Sequence, residues 1–420
     1  MIIDNLTARK ILNSRNEQTI AVVVETKDGK FEASAPGGKS KGKNEAAPFP
    51  KQGVDFSVDF INALGKKLVL NKIPFGEISD LEKLEVVIRG YDNTKDYSKI
   101  GANTLYALEA ALMKAIAGSC GLSLWKFLND KPKMLPMPLG NCIGGGQHTK
   151  KTGRFEEKKT DFQEFLFLPK TNYFFDAYFI NLQAYKETKK LLQEEDKEWT
   201  GDLTDENAFC STLDNESALK LLTKTTGIIK DKFKVDLGLG LDVAASTFWN
   251  GANYSYKNFP SQNRLTKDKQ IEYIVDLIKR YNLVYVEDPL EQEDFSGFSK
   301  LRRILAGMNN KKCLIVGDDL ICTQEDRLKK AIEEKSINAV IIKPNQNGSI
   351  LATKRVVDLA KKNDIIPIIS HRSGETSDNT IAQLAVGWEI PIIKTGILGK
   401  ERFAKLHEIL RIERSSKLKQ

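Results

Sequence analysis

The sequence predicts an α/β protein in which a (β/α) barrel follows a smaller α+β domain. Three observations predict it. The last 185 residues hold six apolar, β-branched runs, each ending abruptly on a charged or ionisable side chain: Asp242, Glu287, Asp318, Lys343, His371 and Lys394. Successive endpoints lie 23 to 45 residues apart, room for one crossover helix and a loop. The first 35 residues or so instead alternate apolar and polar side chains about an Asp28-Gly29 turn, a hairpin signal. Buried parallel strands read as continuous Val/Ile/Leu runs, and barrels of this class carry their chemistry at the carboxyl ends of the strands.

At 420 residues the chain is long enough for two domains, one of them barrel-sized. The 41% hydrophobic and 29% charged content is that of an ordinary globular protein. No apolar stretch approaches the roughly 18 to 20 residues that span a bilayer, and the first residues, MIIDNLTARK, lack a signal-peptide core. A cytoplasmic protein with no membrane span is the expectation. The five cysteines are dispersed without CxxC spacing, which argues against a disulfide framework or a structural zinc site. The net charge of +8 comes from lysines that alternate with glutamates along helical faces rather than from a basic block. Nucleic acid is therefore not the expected partner, whereas attraction of a small anionic substrate fits.

In chain order, the N-terminal hairpin leads into a glycine- and lysine-rich loop, 36–46. Helices follow over VDFINALGKKLV and TLYALEAALMKAIAG, the second ending at Gly118 or Gly121. The proline-punctuated NDKPKMLPMP marks a boundary near residue 131, giving an N-terminal domain of 1–130 and a barrel domain of 131–420. Beyond it come a glycine cluster (140–148), a polar run, the apolar strand FQEFLFLP and a helix over about 175–195. The polar, turn-rich segment 194–217 reads as a loop, and the helix ALKLLTKTTGIIKDK follows it. From there the strand–helix rhythm runs to the terminal helix ERFAKLHEILRIE.

Asp242, Glu287 and Asp318 end three consecutive strands. Separated carboxylates without paired His or Cys suit magnesium or manganese, although single acids at such junctions also cap helices. Lys343 ends a buried strand, where burial lowers an ammonium pKa and can make the amine a general base; a structural ion pair is the alternative. Lys394 poses the same choice, or binds an anion. Of the three histidines, His148 follows a glycine run and His371 opens S-H-R-S-G-E. In that segment Arg372 offers a planar fork, and Ser373 a hydroxyl, to a phosphate or carboxylate.

The segments GDDL (317–320), IKPNQNGS (342–349), SHRSGETSDNTIAQLAVG (370–387), KTG (394–396) and LRIE (410–413) strongly resemble enolase. The likeness extends over nearly the whole chain, through ARKILNSR (8–15), GANTLYALEAAL (101–112), LDVAASTF and VEDPLEQEDFSGF. The resemblance implies a small α+β lid domain before a modified (β/α)8 TIM-type barrel that includes an antiparallel strand pair. It implies magnesium-dependent, reversible dehydration of 2-phosphoglycerate to phosphoenolpyruvate, in glycolysis and gluconeogenesis. Two Mg2+ are implied per site, the first on Asp242, Glu287 and Asp318, the second reached by Ser40 when substrate is bound. Lys343 matches the base that takes the C2 proton, and Glu206 the acid that protonates the leaving hydroxyl. His148, Glu164, His371, Arg372, Ser373 and Lys394 match substrate contacts, and a homodimer is compatible with the family.

The chain departs from the family pattern in five places. Asn16-Glu17-Gln18 replaces G-N-P after Ser14-Arg15; the lid loop reads GGKSK, with Lys39 and Lys41; and an insertion separates His148 from Glu164. Both glycines that follow the proton-donating acid are replaced, by Asn207 and Ala208, and an alternative alignment would pair Gly201-Asp202 with the family's G-D and leave no glutamate in place. Ala21 stands where the family has an interfacial acid, while its partner position, Arg411, is kept. Two other readings follow: metal-assisted proton abstraction on a different acid substrate, and a non-catalytic binding paralogue.

Overall fold

A computed structural model describes residues 1–39, 42–149, 159–257, 264–308, 312–416 and 418. Strands β1 (Asn5–Leu12), β2 (Gln18–Thr26) and β3 (Gly29–Ser34) form an antiparallel sheet in that order, with Thr26 opposite Gly29 across the turn. Gly29 adopts φ 140°, a conformation that favours glycine and explains the hairpin signal. Helices α1 (Val54–Leu70), α2 (Ser79–Tyr91), α3 (Ala102–Ser119) and α4 (Leu124–Leu128) follow. Helix α1 packs on β1, and α3 packs on β2 and β3.

Fifteen of the eighteen residues of α3 are buried, from Ala102 to Ala117. A helix apolar on every side is enclosed on every side. The sheet covers one flank of α3, and the barrel segment after Lys343 meets the other: a Cβ on Gly348 would lie 2.9 Å from Ala102 Cα. The N-terminal region thus rests against the strand ends that carry the ionisable residues. Gly121, at φ 70°, turns the chain out of α3, while Leu122 N–H closes the end on the Ala117 carbonyl at 3.0 Å.

The barrel uses β4 (Met137–Gly144), β5 (Glu164–Pro169), β6 (Leu237–Asp242), β9 (Tyr285–Glu287), β10 (Leu314–Gly317), β11 (Ala339–Ile342), β12 (Ile366–Ser370) and β13 (Ile392–Lys394). The short hairpin β7 (Tyr254–Ser255) and β8 (Arg264–Leu265) lies between β6 and β9. The closed order is β10-β11-β12-β13-β4-β5-β6-β9. Strand β5 runs antiparallel to both β4 and β6, and the other neighbours pair in parallel. Leu139, Leu166, Leu168, Tyr285, Val316, Ala339, Ile341, Ile368 and Ile392 fill the interior as a cluster of their own, so the barrel is packed rather than open.

Outside it lie α5 (Phe174–Glu195), α6 (Asn215–Phe233), α7 (Lys267–Tyr281), α8 (Phe295–Gly307), α9 (Glu325–Glu333), α10 (Ile350–Lys362), α11 (Thr380–Gly387) and α12 (Lys400–Ser416). Asp214, Thr266, Asp294 and Ser349 cap α6, α7, α8 and α10 with side-chain oxygens that accept backbone N–H bonds. Among the described residues no helix is long and apolar enough to cross a membrane.

Helix α2 and strand β4 are among the elements that escaped the sequence reading, with α4 and the β7–β8 hairpin. Helix α2 has a buried face of only Leu81, Leu84 and Ile88. Strand β4 hides within the glycine cluster, because its neighbours come too close for side chains. A Cβ on Gly140 would lie 2.5 Å from Ile397, and one on Gly144 2.5 Å from Thr204. At the positions weighed for a dimer contact, Ala21 is fully buried in β2, and Arg411 donates to Glu408 on its own helix at 2.6 and 3.0 Å.

Candidate active site

All six ionisable endpoints lie on the last residue of their strand or the one after it. The reversed direction of β5 adds a seventh. Because β5 runs down the barrel, its first residue is at the mouth, where Glu164 pairs with Asp242, which in turn pairs with Glu287. Three adjacent strands therefore bring three carboxylates into one row.

Lys394 neutralises that row. Its ammonium lies 2.7 Å from Glu287 Oε2, 3.0 Å from Asp242 Oδ2 and 3.1 Å from Glu164 Oε2. Gln163 Nε2 donates to Asp242 at 3.1 Å, and the Tyr285 hydroxyl donates to Glu287. Burial and the neighbouring Asp242 push the Glu287 carboxyl up to about 8, against the pull of Lys394. Burial also raises Glu164 well above the usual carboxylate range. The buried Glu287 Oε1 has no hydrogen-bond partner among the described residues. An all-oxygen donor set with an orphaned carboxylate oxygen suits a hard divalent cation.

Asp318 lies one strand further on, where Lys343 Nζ donates to its Oδ2 and Gln346 Nε2 to its Oδ1 at 3.2 Å. Asp288 fixes this turn by accepting the N–H groups of Asp318 and Asp319 at 3.0 and 2.7 Å. Among the described residues, the groups of three possible metal ligands whose atoms all lie within 4.8 Å of one another are Asp288–Asp318–Asp319 and His148–Glu164–Glu206; Asp242, Glu287 and Asp318 do not form one. With both its oxygens on backbone amides, Asp288 is a support for the loop.

The expectation that burial depresses Lys343 is corrected. Burial acts in that direction, but Asp318 outweighs it and holds the ammonium above its ordinary value. A charged partner in contact decides the sign, and the sequence did not show that contact.

Glu206 reaches the same mouth. Its carboxylate lies 3.5 Å from His371 Nε2 and 3.8 Å from His148 Nδ1, and Asn141 Nδ2 donates to it at 3.3 Å. His148 is also 3.4 Å from Glu164. Burial pushes both imidazoles below their ordinary value, although Glu206 draws them back in part. Burial works to raise the Glu206 carboxyl, but His371 and His148 outweigh it and hold it well below the usual carboxylate range. Asp202, which the alternative alignment would bring in, is exposed and accepts from its neighbour Thr200. Asn207 adopts φ 61°, so the place of a glycine is taken by a residue type that tolerates the left-handed region.

Arg372 and Ser373 face the N-terminal segment. Gly37 and Gly374 exchange two backbone hydrogen bonds of 2.7 Å, and Lys39 N–H donates to Ser373 Oγ at 2.8 Å. Lys39 Nζ lies 3.4 Å from the Thr149 carbonyl and 3.7 Å from Asp205, which Arg15 also binds at 2.8 Å. Lys159 Nζ donates to Gly146 O and Thr149 Oγ1, tying together the two ends of the insertion. Ser40, expected at the second metal, lies outside the described residues, as do Lys41 and most of the insertion, 150–158. Gln163, Gln346 and Asn141 were missed by the sequence reading; the polar run after Lys343, P-N-Q-N, was the one visible signal.

Profiles of two domains match the chain: "Enolase, N-terminal domain" over residues 3–128 and "Enolase, C-terminal TIM barrel domain" over 132–418. The chain belongs to the enolase family. The enolase of Methanosphaera stadtmanae is 40% identical over 98% of this chain and 97% of its own length. Those of Methanothermobacter thermautotrophicus and Archaeoglobus fulgidus are 37% and 36% identical over 98% of this chain and 96% and 97% of their own lengths. Family membership makes the chain an enzyme of the hydro-lyase class, and it accounts for the barrel with one reversed strand beneath an N-terminal antiparallel sheet.

Proposed function

We propose that the protein interconverts 2-phosphoglycerate and phosphoenolpyruvate, with residues 1–130 capping a catalytic barrel of 131–420, in the cytoplasmic glycolytic or gluconeogenic flux. The observation that carries this reading is a single cavity lined by Lys343, Glu206, Glu164, His148, His371, Arg372, Ser373 and Lys394. A base and an acid thus face one space that also holds anion-binding cations.

Lys343 takes the proton from C2 as the free amine, after loss of the Asp318 contact that holds it protonated, and Glu206 acts once it has gained a proton. Glu206 gives a proton to the 3-hydroxyl, which leaves as water, and the electron pair of the broken C–H bond forms the new double bond. Arg372 and Ser373 hold the phosphate, while Lys394 supplies countercharge for the carboxylate end. His148 and His371 orient Glu206, and Glu164 supports His148. Asp242, Glu287 and Asp318, with Ser40 for a second ion, are the residues that would hold Mg2+, which would stabilise the negative charge that develops beside the substrate carboxylate. A lysine base with Mg2+ is the pairing already known for enolase-superfamily sites.

The test is the rise in phosphoenolpyruvate absorbance with saturating magnesium, on wild type beside Lys343→Ala and Glu206→Gln. Each variant is expected to lose roughly 10²- to 10⁴-fold in kcat. No turnover by the wild type, or three indistinguishable rates, would overturn the proposal.

A further inference from the structure

Arg372 is occupied by an anion of the protein's own. Its Nη2 donates to both carboxylate oxygens of Glu45, at 3.0 and 2.9 Å, with the two side chains only 5% and 8% exposed. Nη1 donates to Asn345 Oδ1 at 3.1 Å, and Asn345 is fixed in turn by Asn103 and the Pro36 carbonyl. The backbone at Gly38 lies across the same guanidinium, so close that a Cβ there would fall 2.0 Å from Nη2. The cavity beside it measures about 20 Å³, room for little more than one water molecule.

We propose that Glu45 is an internal occupant of the anion site, and that substrate binding exchanges its carboxylate for the substrate's phosphate on Arg372. This rests on Arg372 being the phosphate contact in the function proposed above. Three observations support exchange over a permanent brace. A carboxylate and a phosphate on one buried guanidinium repel each other, which disfavours holding both. The cavity of about 20 Å³ has no space for a phosphate beside Arg372 as the side chains now stand. Among the described residues the other partners of the Glu45 carboxylate are neutral and longer, Gly42 N at 3.1 Å and Gln346 Nε2 at 3.4 Å, so Arg372 is its principal anchor there. Gln346 also donates to Asp318, so release of Glu45 reaches the side chains around the base.

The experiment is calorimetric titration of wild type, Glu45→Gln and Glu45→Asp with inorganic phosphate, each first checked for folding by circular dichroism. Removing the internal anion leaves a buried guanidinium unpaired. Glu45→Gln is expected to bind phosphate roughly tenfold tighter, equivalent to about 1.4 kcal/mol, and to lower the KM for 2-phosphoglycerate. Glu45→Asp, whose shorter arm weakens the contact, is expected to fall between the two and gives the same readout if the glutamine variant does not fold. Phosphate affinity that is unchanged or weaker in the variants overturns the inference and makes Glu45 a brace that stays in the complex. Turnover of 2-phosphoglycerate by the same wild-type sample decides the functional reading separately.

Discussion

Asn207, immediately after the proposed proton donor, shows how one backbone angle preserves a site whose motif has changed. Its φ of 61° is open to Gly and Asn and costly for a β-branched residue, by about 1–2 kcal/mol. The side chain adds a 3.4 Å bond to the Leu398 carbonyl, and its own carbonyl accepts from the Tyr185 hydroxyl at 2.7 Å. Asn207→Gly is therefore expected to keep kcat within a few-fold, whereas Asn207→Val lowers both kcat and the denaturant midpoint; equal behaviour of the two would refute the backbone argument. Glu109 offers a second test at this scale. It is buried in α3, burial and nearby Glu85 raise its carboxyl well above the ordinary range, and its Oε1 has no hydrogen-bond partner among the described residues while Oε2 accepts the Ile350 N–H at 2.6 Å. A raised carboxyl contributes most at low pH, and its contribution is lost as pH rises from the unfolded value of about 4.3 toward the folded one. Glu109→Gln keeps a carbonyl for Ile350 and gains an amide donor for Glu85. It should be about 1 kcal/mol more stable at neutral pH in urea unfolding, with a flatter pH dependence.

Helix α3 is joined to the barrel by more than packing. Lys114 binds Asp378 at 2.7 Å in the segment that follows the histidine–arginine motif. Burial works to raise Asp378, but Lys114 outweighs it and holds the carboxyl below its ordinary value. A depressed carboxylate stabilises the fold above the unfolded pKa of about 3.9, and that contribution disappears as pH falls through the folded value. Lys114→Met leaves the charge buried and unpaired, which should cost about 3 kcal/mol at pH 7 and progressively less below pH 4. Urea midpoints at the two pH values check it. The strands were the most legible elements: β6, β9, β10, β11, β12 and β13 end within one residue of the ionisable positions at which their apolar runs stop. Strand β4 was not legible, because Gly140 and Gly144 are dictated by Ile397 and Thr204, distant in sequence and adjacent only in the fold. The direction of β5 could not be read from its own residues either, since an apolar run is the same run in both directions.

For the whole molecule, the carboxylate row at the mouth predicts a response to metal apart from activity. Mg2+ at 100 times its Kd should stabilise the fold by roughly 2.7 kcal/mol, read as a rise in Tm by scanning calorimetry and reversed by a chelator. Asp242→Asn should diminish the shift; a Tm indifferent to Mg2+ would refute the ligand assignment. What the sequence by itself determined was the type of architecture and the cast of the site. Apolar runs, turn residues and strand-end charges are local patterns, and each strand delivers its terminal side chain to the mouth wherever it sits in the barrel. The tertiary structure decided which of those side chains touch. It put Lys394 among three acids, set Lys343 on Asp318 and so reversed the expected direction of its pKa, and placed Glu45 on Arg372 across 327 residues of chain. Pairings of that kind follow from closure of the barrel and from the N-terminal region lying over it. Charge interactions decay over a few ångströms, so partners far apart in sequence acquire their energies only when the fold brings them into contact.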